Sequence, residues 1–114
     1  MSDDLFMKII DREIPADIVH ENEELLAFRD IDPQAPVHIL VVPKRRIPTI
    51  NDLEGGDAAL VGRMVLAARR IAADEGLSED GYRLVFNCND KGGQSVFHIH
   101  LHLLGGRQME WPPG

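Results

Sequence analysis

Eight consecutive residues, Phe97-His98-Ile99-His100-Leu101-His102-Leu103-Leu104, alternate apolar and imidazole side chains up to the final leucine pair. A repeat of two is the side-chain period of a β-strand and does not line up one face of a helix. In extended conformation His98, His100 and His102 project to one side, and Phe97, Ile99, Leu101 and Leu103 project to the other. The apolar side can seal a core, so the imidazoles face a surface or a cleft. Three of the chain's five histidines stand on that one face. The octet therefore marks either a metal site or a reactive centre.

Other segments supply what such a strand packs against. Leu5 to Asp11 has the length of a short helix, with Asp3 or Asp4 placed to cap it. Ile18 to Glu21 and Leu25 to Arg29 are short strand candidates around a turn at Asn22-Glu23-Glu24. Val37 to Val42 is a β-branched run between Pro36 and Pro43, as expected of a buried strand. From Asp57 to Glu75 the apolar residues Leu60, Val61, Met64, Val65, Ala68, Ile71 and Ala72 recur at helical spacing, and Gly76 supplies a stop. Tyr82 to Asn87 is a further strand, and Phe97 to Leu104 is the last. Five strands with one long helix between the third and fourth predict an α+β fold, an antiparallel sheet covered by that helix. No repeat or linker divides the chain, so residues 1–114 are expected to form one domain.

The chain carries 12 Lys plus Arg against 19 Asp plus Glu, a net charge of -7. That balance argues against a nucleic-acid polymer as partner, because backbone-phosphate binding relies on clustered cations. No apolar stretch approaches the roughly 18–20 residues that cross a bilayer, so no membrane is expected as partner. The acidic Met1-Ser2-Asp3-Asp4 lacks the layout of a secretory signal, and one cysteine, Cys88, fits a reducing compartment. The expected location is the cytoplasm.

Imidazole is a common zinc ligand, but side chains at i, i+2 and i+4 of a strand form a line about 13 Å long. A single ion gathers all three only if the strand curves. The loop just upstream, Asn87-Cys88-Asn89-Asp90-Lys91-Gly92-Gly93-Gln94-Ser95, points to a second chemistry. Paired glycines allow backbone N–H groups to converge on an anion, and Asn87 and Ser95 add neutral donors. Such a loop leading into the histidines suits a phosphate group beside an imidazole; its plain alternative is an ordinary hairpin turn. A neutral imidazole can attack phosphorus and later be released by water. His100, flanked on both sides, is the nucleophile candidate. His102 is the candidate proton donor to the leaving group, and His98 would orient its neighbour through its backbone or ring. This scheme requires neither metal nor cofactor.

The heptad His98-Ile99-His100-Leu101-His102-Leu103-Leu104 also fits the histidine-triad pattern. Leu5-Phe6 through Glu13-Ile14-Pro15-Ala16, Ala27-Phe28-Arg29-Asp30-Ile31-Asp32-Pro33-Gln34-Ala35-Pro36, Gly92-Gly93-Gln94-Ser95-Val96 and Gly105 through Trp111-Pro112-Pro113-Gly114 extend the match over nearly the whole chain. The chain resembles the Hint branch of the histidine triad (HIT) superfamily, the histidine triad nucleotide-binding proteins. That resemblance implies a HIT-like fold in which the sheet extends across a homodimer. It implies hydrolysis of purine nucleoside 5′-phosphoramidates, including aminoacyl adenylates, to AMP and an amine through a nucleotidyl-histidine. His100 matches the nucleophile, His102 the leaving-group residue and His98 the first triad position. Asn87, Gly93 and Ser95 match phosphate contacts, Asp30 the ribose contact, and Phe6, Ile9, Phe28 and Ile31 the purine slot.

Plainer roles compete for several of these residues. Phe6, Ile9 and Phe28 would serve equally as core, and Asp30 as a turn former. His38, inside a buried strand, and His20, near a hairpin, are expected to be structural. Nothing near Cys88 activates its thiol. Two positions depart from the family pattern: Arg46 and Glu110 stand where some members carry histidine, and Arg46 is expected to spare the chemistry. The alternatives to a phosphoramidase are a nucleotide-binding regulatory or scaffold protein with weak catalysis, a metal-dependent hydrolase, and a dinucleoside polyphosphate hydrolase.

Overall fold

The computed structural model describes residues 4–114. Asp3, the alternative helix cap, and the acidic start at Met1-Ser2 lie outside the described residues. Helix α1 (Leu5–Ile10) is capped by Asp4, whose Oδ1 accepts from the Met7 amide at 2.7 Å. Strands β1 (Ile18–Glu21), β2 (Leu25–Arg29) and β3 (Val37–Pro43) follow, then α2 (Ala58–Asp74), β4 (Tyr82–Phe86), a single helical turn α3 (Asn89–Gly92) and β5 (Leu101–Gly105). All pairings are antiparallel and the strand order is β1-β2-β3-β5-β4. The α+β expectation holds, with five strands, one long helix and a short N-terminal one.

The period of two divides the central strands between two cores. Ile39 and Val41 of β3, with Leu101 and Leu103 of β5, face α2 and pack on Leu60, Met64, Ala68, Ile71 and Ala72. Leu40 and Val42 face the other way and join Phe28, Leu26 and the α1 residues Phe6 and Ile9. The imidazole-bearing face of the sheet therefore lies under α1, and the large core lies under α2. Helix α2 ends as Gly76 predicts: Gly76 takes φ +76°, its amide donates to Ala73 O at 3.1 Å, and the Leu77 amide donates to Ala72 O at 2.9 Å. That reciprocal pair satisfies two carbonyls at the helix end. Leu77 then packs across Gly105, where a Cβ would lie 2.5 Å from Leu77 Cδ1. Of the helix residues expected inside, Val65 is exposed.

The largest departure concerns the octet. β5 begins at Leu101, so His98, Ile99 and His100 precede the ladder. The neighbouring β3 ends at Pro43, which has no N–H to continue the pairing. The segment finds other partners: the Ile99 amide donates to Ile47 O at 2.7 Å, and the Arg46 Nη2 donates to Phe97 O at 2.9 Å. Side-chain alternation survives without the ladder, since Ile99 enters the α2 core while the rings of His98 and His100 pack against Phe6. Phe97 does not seal the core; it is 42% exposed.

Candidate active site

A cleft of about 390 Å³ opens on the α1 side of the sheet. Phe6, Ile9, Phe28 and Ile31 line it, with Asp30, Ser95, His100, His102 and His38. Phe6 and Phe28 meet edge to face with centroids 5.5 Å apart, and Phe6 meets the His100 ring at 4.8 Å. The core reading of Phe6, Ile9 and Phe28 holds. Phe6, Ile9 and Phe28 belong to the smaller core and also form a wall of the cleft, while Ile31 stands 91% exposed at its edge. Asn87 and Gly93 are not among the lining residues.

The three triad histidines do not converge. His98 is fully buried, with Nε2 at 2.7 Å from Pro43 O and Nδ1 at 3.3 Å from Asp4 Oδ2. His100 Nδ1 lies 2.7 Å from the backbone oxygen of His98. A carbonyl only accepts, so Nδ1 carries the proton and His100 Nε2 keeps a free lone pair. Burial holds the His100 imidazole below its ordinary value, with His98 and His38 adding to that effect. The ring rests neutral, as a nucleophile requires.

His38 belongs to this site, contrary to the structural role expected of it. The β3–β5 register sets Leu40 opposite His102 and His38 opposite Leu104, which makes His38 and His102 diagonal neighbours on one face. Their protonation follows from partners. The Gln34 amide donates to His38 Nδ1 at 3.0 Å, so the His38 proton sits on Nε2. That Nε2 is 2.9 Å from His102 Nδ1, which must then accept, leaving the His102 proton on Nε2. His102 Nε2 is buried and has no protein partner among the described residues. Burial, His100 and His38 push the His102 imidazole down to about 4, against a smaller pull from Asp30.

Asp30 serves two purposes. Its Oδ1 accepts from the Asp32 amide at 2.8 Å, the turn expected of Asp-Ile-Asp-Pro, and its Oδ2 lies 3.5 Å from His38 Nε2. Asp30, His38 and His102 bring three potential ligand atoms within 4.8 Å of one another. The donor types suit zinc, but His38 does not. With Nδ1 already accepting from an amide, a metal on Nε2 would require an imidazolate. The set fits a hydrogen-bond relay better than an ion.

The glycine loop is more ordered than an open cradle. Residues 89–92 form α3, Gly92 ends it, and only Gly93 of the pair takes a left-handed φ of +83°. Gln94, to which the sequence assigned no role, pins the loop: its Oε1 accepts from the Asn89 amide at 2.8 Å and its Nε2 donates to Pro48 O at 2.7 Å. Ser95 follows, exposed and on the cleft. Arg29, the one cation on the lining among the described residues, is held by Glu75 through two bonds of 2.9 and 3.1 Å.

A paired-imidazole site on the open face of a five-stranded sheet, beside an apolar slot, defines a small α+β histidine-site protein. Known proteins sharpen that description. A HIT domain model matches residues 11–109. The chain is 55% identical to the purine nucleoside phosphoramidase of Escherichia coli K12, over 92% of this chain and 88% of that one. It is 56% identical to an uncharacterised HIT-like protein of Synechococcus elongatus over the full length of both. The crystal structure of a HIT family hydrolase from Legionella pneumophila Philadelphia 1 superposes with a TM-score of 0.96 at 59% identity, covering 98% of this chain and 100% of that one. The chain belongs to the HIT family, and it is an enzyme of that family.

Proposed function

We propose that this protein hydrolyses the P–N bond of purine nucleoside 5′-phosphoramidates, aminoacyl adenylates included, releasing AMP and an amine. The carrying observation is the pair of ring nitrogens at the cleft: His100 Nε2 with its lone pair free, and His102 Nε2 with a proton and no protein acceptor. The name of the Escherichia coli relative supports the same substrate class.

The steps follow from those two atoms. The purine enters between Phe6, Ile9, Phe28 and Ile31, flat apolar area for a flat ring. Asp30 receives the ribose hydroxyls. Ser95, on the cleft lining, receives the phosphate, while Asn87 and Gly93 are phosphate contacts on the family resemblance alone. The anionic phosphate raises the His102 pKa against the effect of burial, so His102 takes up a proton at Nδ1 as the nucleotide docks, and the displaced His38 Nε2–H turns to Asp30 Oδ2, 3.5 Å away. His100 Nε2 then attacks phosphorus, the P–N bond breaks, and His102 Nε2–H gives its proton to the departing nitrogen. Water attacks the nucleotidyl-His100 and returns a proton to His102 Nε2, and AMP leaves. Phosphoramidate and water are consumed; AMP and amine are formed. No metal ion takes part.

Dinucleoside polyphosphates suit the cleft less well, because Arg29 is already bound to Glu75 and the chain carries a net charge of -7. The same charge speaks against a nucleic-acid polymer as partner. No helix among the described residues is long and apolar enough to cross a membrane. A cytoplasmic location belongs to this proposal, supported by the free Cys88. So does a single functional domain spanning residues 1–114, supported by one sheet that joins β1 to β5.

A homodimer is also part of it. Of the two sheet edges, β1 is four residues long, irregular in register between Ile18 and His20, and charged at Glu21, which pairs with Lys44 and Arg12. Those are the defences of an edge that stays solvated. β4 is regular in register, its one charge, Arg83, donates to Glu110 O at 2.8 Å, and the exposed apolar Leu66 and Trp111 are available to a second copy. Pairing of two β4 edges would continue the sheet across the dimer.

Intact-mass analysis of protein quenched during turnover of an adenosine 5′-phosphoramidate tests the chemistry. A nucleotidyl adduct on His100, absent from His100→Ala while AMP binding persists, is expected. Turnover without any adduct, or adduct on another residue, would remove His100 as nucleophile. No turnover of this substrate would leave a nucleotide-binding scaffold instead.

A further inference from the structure

His100 takes its orientation from the backbone oxygen of His98, yet residues 97–100 stand outside the β-ladder. Something other than sheet pairing must hold that oxygen still. Asp4 supplies much of it. One carboxylate oxygen, Oδ1, caps helix α1 through the Met7 amide. The other, Oδ2, lies 2.7 Å from Arg46 Nε and 3.3 Å from His98 Nδ1. Arg46 in turn donates to Phe97 O at 2.9 Å, one residue before His98. The opposite end of the His98 ring rests on Pro43 O. The Asp4 side chain is nearly buried, and although burial raises its carboxyl, the Met7 amide, Arg46 and His98 together hold it below the ordinary carboxylate value. It remains an anion under the triad.

Resting on the phosphoramidase proposal above, we propose that Asp4 and Arg46 are positioning residues for the nucleophile. They clamp His98 by side chain and backbone, and His98 aims His100. The two acceptors on the His98 ring are satisfied together only when each ring nitrogen bears a proton. The clamp therefore has a signature, a doubly protonated His98 paired with the Asp4 carboxylate. Because Asp4 also caps α1, which carries Phe6 and Ile9, the same side chain ties the purine wall to the reacting ring. Arg46 is thus engaged at the chemistry, where the sequence left it as a neutral departure.

Asp4→Asn separates these roles, since asparagine caps a helix as well as aspartate does but carries no charge. Two measurements on the full-length protein decide the matter: histidine side-chain 15N NMR, and steady-state turnover of an adenosine 5′-phosphoramidate alongside AMP affinity. In the native protein both His98 nitrogens are expected to be protonated. In Asp4→Asn one loses its proton, and kcat falls by about 10- to 100-fold, the scale of a small misplacement of a reacting group, with AMP affinity retained and the melting temperature lowered by the loss of the buried ion pair. Arg46→Gln is expected to lower kcat in the same sense. A singly protonated His98 in the native protein, or native kcat in Asp4→Asn, would overturn the clamp. Absent turnover in the native protein would refute the proposed activity alone, because the His98 spectrum reads the clamp without substrate.

Discussion

His38 Nε2 lies 2.9 Å from His102 Nδ1, and the Gln34 amide on the far side of His38 decides which of the two rings donates. A backbone amide thus selects the tautomer of a residue two steps away. The consequence is a proton at His102 Nε2, on the atom that has no protein partner.

Replacing His38 breaks that sequence of bonds without touching the apolar wall of the cleft or His100. His38→Asn is expected to lower kcat by about 10-fold or more, a fraction of what general acid catalysis contributes, with little change in AMP affinity. The loss should be larger for substrates with basic amine leaving groups than for those with acidic ones. Steady-state kinetics on a leaving-group series checks this, and equal losses across the series would count against the relay.

His102 provides a second test through linkage. The free imidazole sits at about 4, below its ordinary 6.5, so it is neutral, with a single ring proton, between those values until an anion arrives. AMP binding in that pH range is expected to take up a proton. Titration calorimetry in buffers of different ionisation enthalpy measures the uptake, and His102→Asn should abolish it. Proton release, or an uptake that survives in His102→Asn, would contradict the assignment.

The same displacement acts on stability. In the unfolded chain His102 returns to about 6.5, so between that value and about 4 the unfolded state binds more protons than the folded one. Stability is therefore complete above about 6.5 and falls as pH drops through the window. His38 and His100, whose values burial also lowers, act in the same direction. Thermal melts from neutral to acid pH should show a shallower decline for His102→Asn than for the native chain.

Ile31, exposed at the edge of the cleft where the purine is proposed to sit, separates binding from folding. Ile31→Ala should shift stability by no more than about 0.5 kcal/mol, as expected of an exposed position. KM for the phosphoramidate should rise several-fold with kcat retained, the pattern of uniform binding lost. A fall in kcat at constant KM would show that Ile31 does more than hold the base.

The main elements were legible because each rests on local chemistry. The Leu60, Met64, Ala68, Ile71 spacing and Gly76 specify α2 and its end, and β-branched residues between two prolines specify β3. The octet was harder. Its alternation is real, but the ladder starts only at Leu101, because Pro43, which the register sets opposite Ile99, has no N–H to continue the pairing. The fate of His38 was hidden for a related reason. In sequence it is one histidine in an apolar strand, and 64 residues separate it from His102. Gln94 and Asp4 give no local sign of their roles either, since an amide that pins a loop and a carboxylate that caps a helix look ordinary until their second partners are in place.

The order of residues by itself determined the strands, the long helix, the apolar and imidazole faces, and the family pattern, because periodicity and turn chemistry act over a few neighbours. The folded chain alone decided which ring nitrogen holds a proton. That depends on hydrogen bonds that join His98 to Pro43 O and Asp4 Oδ2, and His38 to His102, partners 55 to 94 positions apart in sequence whose distances are set only once β3, β5 and α1 have packed.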